Sequence, residues 1–408
     1  MKRFSKPYLF GRLWSATLLL FSLMQACFWL TMCTSEDDMP KGPDNTPRAL
    51  HSILVYLVAD NNLTGMAEEN FQQIKQAYYS SADRHSANLF VYMDNETGSP
   101  TLYYFNPGSS SVKIKEYNEQ NSVEPSVLRQ VCTDAFGLGE RTEPVNTLLL
   151  WSHGTSWFPA PEEAKCRSFG DDYGKQMDIP ELADALQGLE LDNLLFDACY
   201  MGSVEVAAEM VGVADRLVAS PAEILSTGFP YQTIIRELCK KEPDMHRLVD
   251  LYHDYYQGQD NLYQSGTLTS LNLDRMKDLA MAYGELVSKS YGSDYIERKG
   301  LLCYDREDHH LFFDICKVAA KCRDKLAANG DSALADILYT QFTRAWQACE
   351  GYTRHTDYML GIDIRQASGL SVYVPDGFNQ TVDGYYRSSL QWSDWCRQWN
   401  PNGNIILK

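Results

Sequence analysis

Two reactive side chains, His153 and Cys199, each follow closely on an apolar run, and they lie 46 positions apart. His153 comes directly after residues 147–152, and Cys199 comes three positions after residues 194–196. Apolar runs of this length predict strands that are covered on both faces, as in a parallel sheet. Because catalytic groups gather at the carboxyl ends of such strands, we expect the two side chains to meet at one edge of a sheet. A thiol beside an imidazole is the pattern of a nucleophile with its general base.

Gly154 and the residues after Cys199 add two further features of such a site. Gly154 lets the backbone approach a ligand closely, and its N–H, with that of Cys199, can stabilise the oxyanion of a tetrahedral intermediate. A helix is predicted soon after Cys199, and the positive end of its dipole would lower the pKa of the thiol. The structural alternatives stay open, since Cys199 can also be a small core residue and His153 a hydrogen-bonded core histidine.

The segments that must position these residues alternate between strands and helices up to about residue 240. Strands are predicted at 52–58, 88–93, 147–152, 193–196 and 216–219, a hairpin at 101–105 and 112–117, and helices from 62 to about 78 and at 127–135, 179–189 and 204–211. This order predicts an α/β fold with a mainly parallel sheet flanked by helices. Beyond residue 240 we predict a mostly helical region packed on the sheet. Its helices are predicted at 244–257, 274–289, 309–328 and 332–350, and its strands at 265–273 and 369–374.

The N-terminus has the pattern of a targeting segment. Four basic residues precede the uncharged apolar stretch 13–32, and Cys33 is followed by a Ser/Thr and acidic tract. This arrangement resembles a bacterial lipoprotein signal with Cys33 as the lipidated residue, and the acidic tract resembles the surface-export signal of Bacteroides-group lipoproteins. Cys27 is the alternative lipidation site, and an uncleaved membrane anchor is the alternative to cleavage. We therefore predict a signal peptide (1–33), a tether (34–50), a catalytic domain (51–240) and a C-terminal region (241–408).

Charge and cysteine content narrow the function classes. The formal net charge of the 408-residue chain is −18 at pH 7, which argues against nucleic-acid binding because phosphate would be repelled. The chain has 11 cysteines but no C-x-x-C pair and no His/Cys cluster with zinc spacing. We therefore predict no metal site and mostly buried free thiols, and sequence alone cannot choose a disulfide.

Several short blocks occur in an order and spacing that are typical of one enzyme family. They are residues 55–63, 150–154, 196–201, 217–220, 228–231 and 369–375. In these blocks, and over about residues 50–400, the chain resembles clostripain-type cysteine endopeptidases, which have a caspase-like fold. The resemblance implies that Cys199 is the nucleophile, that His153 is the general acid/base, and that the N–H groups of Gly154 and Cys199 form the oxyanion hole.

The resemblance also implies a pocket for a basic P1 side chain. Asp197 matches a family acid that lines this pocket, although it can instead be a strand-end acid that caps the next helix. Many relatives have a second pocket acid where this chain has Thr227, and Glu223 lies close by without being aligned to it. One acid still favours a cation, so we expect cleavage after Arg more than after Lys.

Relatives of this type mature by cutting themselves between the histidine and cysteine blocks. We expect loop 157–174 to hold such a site, at Arg167 or alternatively Lys165, although two basic residues in a loop also occur by chance. Some relatives depend on calcium. Residues 162–163 and 171–172 are acidic pairs that could bind it, but they lack EF-hand spacing and are also what a solvated acidic loop would have.

Together these patterns predict a cysteine endopeptidase that acts on peptide or protein substrates outside the cytoplasm. We expect a lipoprotein of the outer membrane or cell surface of a Gram-negative bacterium, monomeric, and in two chains if it self-processes. The alternatives are a catalytically inactive caspase-like lipoprotein that binds peptide or protein partners, and another thiol hydrolase such as an amidase on the same fold.

Overall fold

Nine strands form one central sheet in the computed structural model, which describes residues 49–108, 110–138, 141–158, 168–292 and 294–398, with side chains for all of these except 141–144. The strands of this sheet are β1 Ala49–Ala59, β2 Ala87–Asn95, β3 Gly98–Phe105, β4 Ser111–Glu116, β5 Arg141–Trp151, β8 Leu191–Asp197, β9 Ala214–Ala219, β10 Thr267–Asn272 and β12 Tyr352–His355. Their spatial order is β12-β10-β9-β8-β5-β1-β2-β3-β4.

The five inner strands β9, β8, β5, β1 and β2 run parallel, and the outer strands pair antiparallel on both sides. Both faces of the inner strands are covered. In β1, for example, Leu54 and Tyr56 belong to one hydrophobic cluster and Ile53 and Val55 to the other. Successive side chains of a strand point to opposite faces, so an apolar run in such a strand fills two cores at once.

Eleven α-helices lie in the described part of the chain. They are α1 Thr64–Ser80, α2 Pro125–Leu138, α3 Ile179–Leu186, α4 Val204–Glu209, α5 Tyr231–Leu238, α6 Met245–Gln257, α7 Met276–Tyr291, α8 Ile315–Ala328, α9 Ser332–Ala348, α10 Gln380–Ser389 and α11 Gln391–Gln398. Apolar residues of α1, α5 and α6 cover one face of the sheet, and those of α2, α3, α4, α7, α8 and α9 belong to the cluster on the other.

Short elements complete the fold. Three two-stranded sheets pair β6 Phe169–Asp172 with β7 Lys175–Met177, β11 Phe313–Asp314 with β15 Ser371–Val372, and β13 Tyr358–Met359 with β14 Ile362–Asp363. Two 3₁₀ helices span Arg84–Ser86 and Asn261–Tyr263.

The predicted fold class is confirmed: a mainly parallel sheet is flanked by helices, with a mostly helical C-terminal region. Three local expectations were wrong. Loop 157–174 is not loop throughout, because it runs into the hairpin β6–β7. The helix expected from residue 309 begins at Ile315, and the expected strand 369–374 is a two-residue strand.

The described residues from 49 onward belong to one compact unit. The predicted signal peptide, most of the tether, and the sites Cys33, Lys165 and Arg167 lie outside the described residues, and the boundary expected near residue 240 stays a prediction. In the described ranges, no helix is long and apolar enough to span a bilayer.

Candidate active site

His153 and Cys199 lie at the ends of two neighbouring parallel strands. In the register of β5 and β8, Trp151 is opposite Asp197, and each reactive residue comes two positions later. Gly154 also touches the backbone of Cys199: a Cβ placed on Gly154 would lie 2.8 Å from the carbonyl oxygen and 3.3 Å from the nitrogen of Cys199. The two sequence blocks therefore meet at the carboxyl edge of the sheet, and position 154 must be glycine for them to approach this closely.

The half-buried imidazole of His153 is oriented by Asn62, which follows β1. Nε2 of His153 lies 2.7 Å from Oδ1 of Asn62. An amide oxygen only accepts hydrogen bonds, so Nε2 carries the proton and Nδ1 is the basic nitrogen of the ring. Asn62 lies within the sequence block 55–63, but its contact with His153 was not predicted.

Other contacts hold the turn that carries Asn62. The side-chain amide of Asn61 donates to the carbonyl of Asp171 at 2.6 Å, and Oδ1 of Asn61 accepts from the N–H of Leu63 at 2.8 Å. The N–H of Tyr173 donates to the carbonyl of Asp60 at 3.3 Å. The hairpin β6–β7 thus clamps the turn that positions the imidazole.

The thiol of Cys199 is half-buried and lies against the segment after β9. The N–H of Ile224 points to Sγ at 3.3 Å. Burial raises the pKa of Cys199 to about 11, whereas the sequence led us to expect a lowered value. The reason is position: α4 begins at Val204 with Ser203 as its N-cap, so the thiol is not in the first turn of that helix and desolvation dominates.

The N–H of Gly154 points away from the hairpin beside it. Gly154 forms an antiparallel bridge with Phe169. The two hydrogen bonds of this bridge are made by the neighbouring residues: Thr155 N–H donates to the carbonyl of Ser168, and Gly170 N–H donates to the carbonyl of His153. A residue between two such bonds directs its own N–H to the opposite side. That N–H is therefore directed away from β6.

Asp197 is buried beneath the segment 228–231. Its Oδ2 accepts from the N–H of Phe229 and from the hydroxyl of Tyr231, both at 2.8 Å. Gly228 has φ +67°, and a Cβ there would lie 2.6 Å from Oδ2. Burial raises the pKa of Asp197 to about 7, while the two hydrogen bonds oppose the shift. The carboxyl does not cap α4, which uses Ser203 as its N-cap, so the helix-capping alternative for Asp197 was wrong.

Thr227 directly precedes Gly228, which packs against this carboxyl, and is exposed. Its hydroxyl is 3.0 Å from the hydroxyl of Tyr256, which donates to the carbonyl of Gly228 at 2.6 Å. Glu223 does not supply a second free acid, because Nε and one terminal nitrogen of Arg306 donate to its two oxygens, each at 2.9 Å. The hydroxyl of Tyr200 also donates to Glu223 at 3.0 Å.

The eight cysteines in the described ranges are free thiols, as expected. The contact of Arg306 with Glu223 was missed, because 83 positions separate the two residues and Arg306 belongs to no recognisable pattern. One feature of the sequence could have indicated the Asn62 contact. Asn62 follows β1, a third parallel strand, and the carboxyl end of that strand lies at the same edge of the sheet.

Comparisons with known proteins agree with this architecture. The structure of a secreted C11 cysteine protease from Bacteroides thetaiotaomicron, in complex with an irreversible peptide inhibitor, matches with a TM-score of 0.71 at 26% identity, over 86% of this chain and 99% of that one. An inactive zymogen C11 protease from Parabacteroides distasonis matches with a TM-score of 0.72 at 27% identity, over 86% and 99%. A second secreted C11 cysteine protease from B. thetaiotaomicron, iotapain, shares the fold at 20% identity with a TM-score of 0.73, over 86% and 100%. No functionally curated protein matches.

Fold and relatives together define the class: the chain is a cysteine peptidase with a caspase-like fold. The clostripain family model matches residues 55–394. The chain therefore belongs to the clostripain family, as the sequence blocks had indicated.

Proposed function

We propose that the protein is an endopeptidase that cleaves after basic residues with Cys199 as nucleophile and His153 as general acid/base. The observation that carries the proposal is the shared position of both residues two steps beyond the paired ends of β5 and β8, with Gly154 against the Cys199 backbone.

The chemistry follows from this arrangement. Nδ1 of His153 takes the proton of the thiol as Sγ attacks the scissile carbonyl carbon, and the N–H groups of Gly154 and Cys199 bind the oxyanion. The imidazolium then gives its proton to the leaving amine, which breaks the C–N bond and leaves a thioester. Water, deprotonated by His153, cleaves the thioester and regenerates the thiol. Because burial raises the pKa of Cys199, the thiol stays neutral until the base acts.

Asp197 is the proposed determinant of P1 specificity. Both hydrogen bonds that it accepts from described residues go to Oδ2, so Oδ1 remains for a substrate cation. Arg suits such a single carboxylate better than Lys, since its planar fork can also reach neutral acceptors such as the Thr227 hydroxyl. A neutral Thr227 makes the preference for basic residues weaker than two acids would.

The test is the rate of cleavage of fluorogenic peptides that differ only at P1, with Arg, Lys, Gln, Asp or Asn. We expect kcat/KM to fall in the order Arg, Lys, Gln, and Cys199→Ala to be inactive on all of them. Equal rates for Arg and Gln would refute the pocket, and no cleavage of any peptide by the processed protein would refute the catalytic assignment and favour the non-catalytic binding alternative.

We also propose that the chain is cut after Arg167, or alternatively Lys165, and that the uncut chain is inactive. A relative described as an inactive zymogen supports regulation of this kind. Mass spectrometry of wild type, Cys199→Ala and Arg167→Ala is the test. Two pieces from wild type alone support self-cleavage at Arg167, whereas two pieces from Cys199→Ala assign the cut to another protease.

Export and lipidation at Cys33 complete the proposal, supported by relatives described as secreted. We expect a monomer tethered to the outer membrane or cell surface. Incorporation of a labelled fatty acid by wild type but not by Cys33→Ala would support it, and loss of label in Cys27→Ala instead would move the anchor to the earlier cysteine.

A further inference from the structure

Tyr200, the residue directly after Cys199, has a backbone conformation that bulky residues disfavour. Its φ is +62°, in the left-handed region that favours glycine. Its N–H donates to the carbonyl of Ala222 at 2.9 Å, in the same segment whose Ile224 N–H points to Sγ of Cys199. A strained conformation persists only where the surrounding contacts enforce it, and such residues cluster at functional sites. The contacts that enforce it here are therefore candidates for a functional role.

The side chain of Tyr200 is held at its ring and at its hydroxyl. The ring stacks on Phe312, with the two ring centroids 4.6 Å apart and the planes inclined by 8°. The hydroxyl donates to Glu223 at 3.0 Å, and Arg306 donates two hydrogen bonds to the same carboxylate, each at 2.9 Å. A two-point contact of this kind fixes the direction of a carboxylate as well as its distance. We call Phe312, Glu223 and Arg306 the Tyr200 anchor.

Two residues of the Tyr200 anchor come from the C-terminal region, in the loop 305–312 that precedes α8. This loop is held by Asp305, which is fully buried. Oδ2 of Asp305 accepts from the N–H of Leu311 at 2.9 Å and from the N–H of Phe312 at 2.8 Å. Phe312 is itself buried, so the ring that Tyr200 stacks on has a fixed place. The loop therefore supplies a firm support beside the catalytic cysteine.

We propose that the Tyr200 anchor positions the nucleophile, by holding Tyr200 in its left-handed conformation. The peptide unit that joins Cys199 to Tyr200 is planar, so a change of φ at Tyr200 turns the group to which Cys199 is attached. Without the anchor, Tyr200 relaxes to an ordinary conformation and Sγ shifts relative to His153. A displacement of about 1 Å can cost on the order of a hundredfold in rate. The catalytic role rests on the proposed function, whereas the anchored conformation itself does not.

Steady-state kinetics of the processed enzyme on an Arg peptide test the catalytic role. We expect Phe312→Ala to lower kcat by about tenfold or more and Arg306→Ala to lower it severalfold, both with little change in KM, because the proposed P1 pocket at Asp197 is left in place.

Each of these variants has a matched control. Phe342→Ala removes an equally buried ring from α9, and Arg365→Ala removes an exposed arginine that makes the same kind of two-point contact with Asp363. Both controls should keep the kcat of wild type. An unchanged kcat in both anchor variants would overturn the proposal, and Arg306→Ala keeps the test decisive if Phe312→Ala does not fold.

Glycine and alanine at position 200 separate the conformation of the residue from its side chain. Both variants lose the anchor contacts, but glycine takes a positive φ without strain and alanine does not. We expect kcat to fall by about tenfold or more in Tyr200→Ala and to be largely retained in Tyr200→Gly. Phe312→Ala added to Tyr200→Gly should cause no further loss of kcat. Equal losses in Tyr200→Ala and Tyr200→Gly would show that the conformation is not what the anchor supplies.

A stability measurement tests the anchored conformation without any peptidase activity. In the uncut Cys199→Ala chain, Tyr200→Gly should melt a few degrees above Tyr200→Ala, because only alanine is strained there. At Lys241, an exposed residue without positive φ, the glycine variant should not be the more stable one. Equal Tm values at position 200 would refute the strained conformation. Absence of activity in wild type would count against the proposed function and the catalytic role, and the Tm comparison would still decide whether Tyr200 is anchored.

Discussion

At the scale of single residues, the burial of Asp197 opposes the ionisation of its carboxyl group. Its pKa of about 7 in the folded chain lies above the value of about 3.9 for an unfolded Asp, so the folded state holds this proton more tightly. The corresponding stability is fully present below about pH 4 and is lost as the pH rises towards 7. A substrate cation would favour the ionised form, so the proposed P1 pocket would be unfavourable for the carboxylate when empty and selective for a cation when filled.

We predict that Asp197→Asn becomes progressively more stable relative to wild type from about pH 4 to pH 7, and that the difference then levels off. The amide does not titrate, and each unit of pKa difference is worth about 1.4 kcal/mol, so the effect at pH 8 is on the order of a few kcal/mol. Thermal unfolding at several pH values measures it. A difference in stability between Asp197→Asn and wild type that does not change with pH would contradict the raised pKa of Asp197.

Asn62 illustrates a positioning residue, because it accepts a hydrogen bond from the proposed general base His153. We predict that Asn62→Ala lowers kcat by about tenfold to a hundredfold with little change in KM, because the imidazole loses the acceptor that fixes its orientation and tautomer. Steady-state kinetics on an Arg peptide measure it. Asn106→Ala, in a turn outside the site, is the matched control. An unchanged kcat in Asn62→Ala would show that the ring is oriented by other contacts.

At the scale of elements, the apolar pattern of the sequence predicted those strands whose position is determined by burial of apolar side chains. The spans of β1, β2, β5 and β8 were predictable, because a strand covered on both faces must be apolar throughout. The hairpin β6–β7 was not, since its sequence is polar and Gly-rich and its conformation depends on contacts with residues 60 and 61. Residues 309–314 look helical in isolation, but Asp305 binds the N–H groups of Leu311 and Phe312 and holds them out of the helix.

The same distinction applies to the candidate site. The ends of two parallel strands could be placed from sequence, because strand order brings them to one edge. The hydrogen bond from His153 to Asn62 and the raised pKa of Cys199 could not be predicted, since they depend on how the turn after β1 and the segment at Ile224 pack over that edge.

Helix packing in the C-terminal region gives an element-scale prediction. A Cβ on Gly284 in α7 would collide with the backbone of Cys396 in α11, whose carbonyl carbon is 2.7 Å away. We predict that Gly284→Ala destabilises the protein by about 1–3 kcal/mol, because the two helices must move apart. Gly137→Ala in α2 has open space and should be neutral or slightly stabilising. Urea unfolding of both variants measures this, and similar midpoints for both would contradict the close helix contact.

At the scale of the whole molecule, a cut after Arg167 would divide the site between two pieces. The first piece would carry Asn62 and His153, and the second would carry Asp197 and Cys199. They would stay joined by the ladder between β5 and β8, from Thr147↔Asn193 to Trp151↔Asp197, and by the bond from Asn61 to Asp171. The cut would therefore leave the central sheet intact.

We predict that the two pieces of the processed enzyme co-elute in gel filtration under native conditions and retain all the peptidase activity. Inner strands of a sheet cannot separate without exposing two hydrophobic cores, so separation should need the denaturant concentration that unfolds the uncut Cys199→Ala chain. Gel filtration with and without urea, followed by activity assays of each fraction, measures both points. If either piece elutes alone from buffer, or cleaves peptides alone, then His153 and Cys199 do not form one site across the β5–β8 ladder.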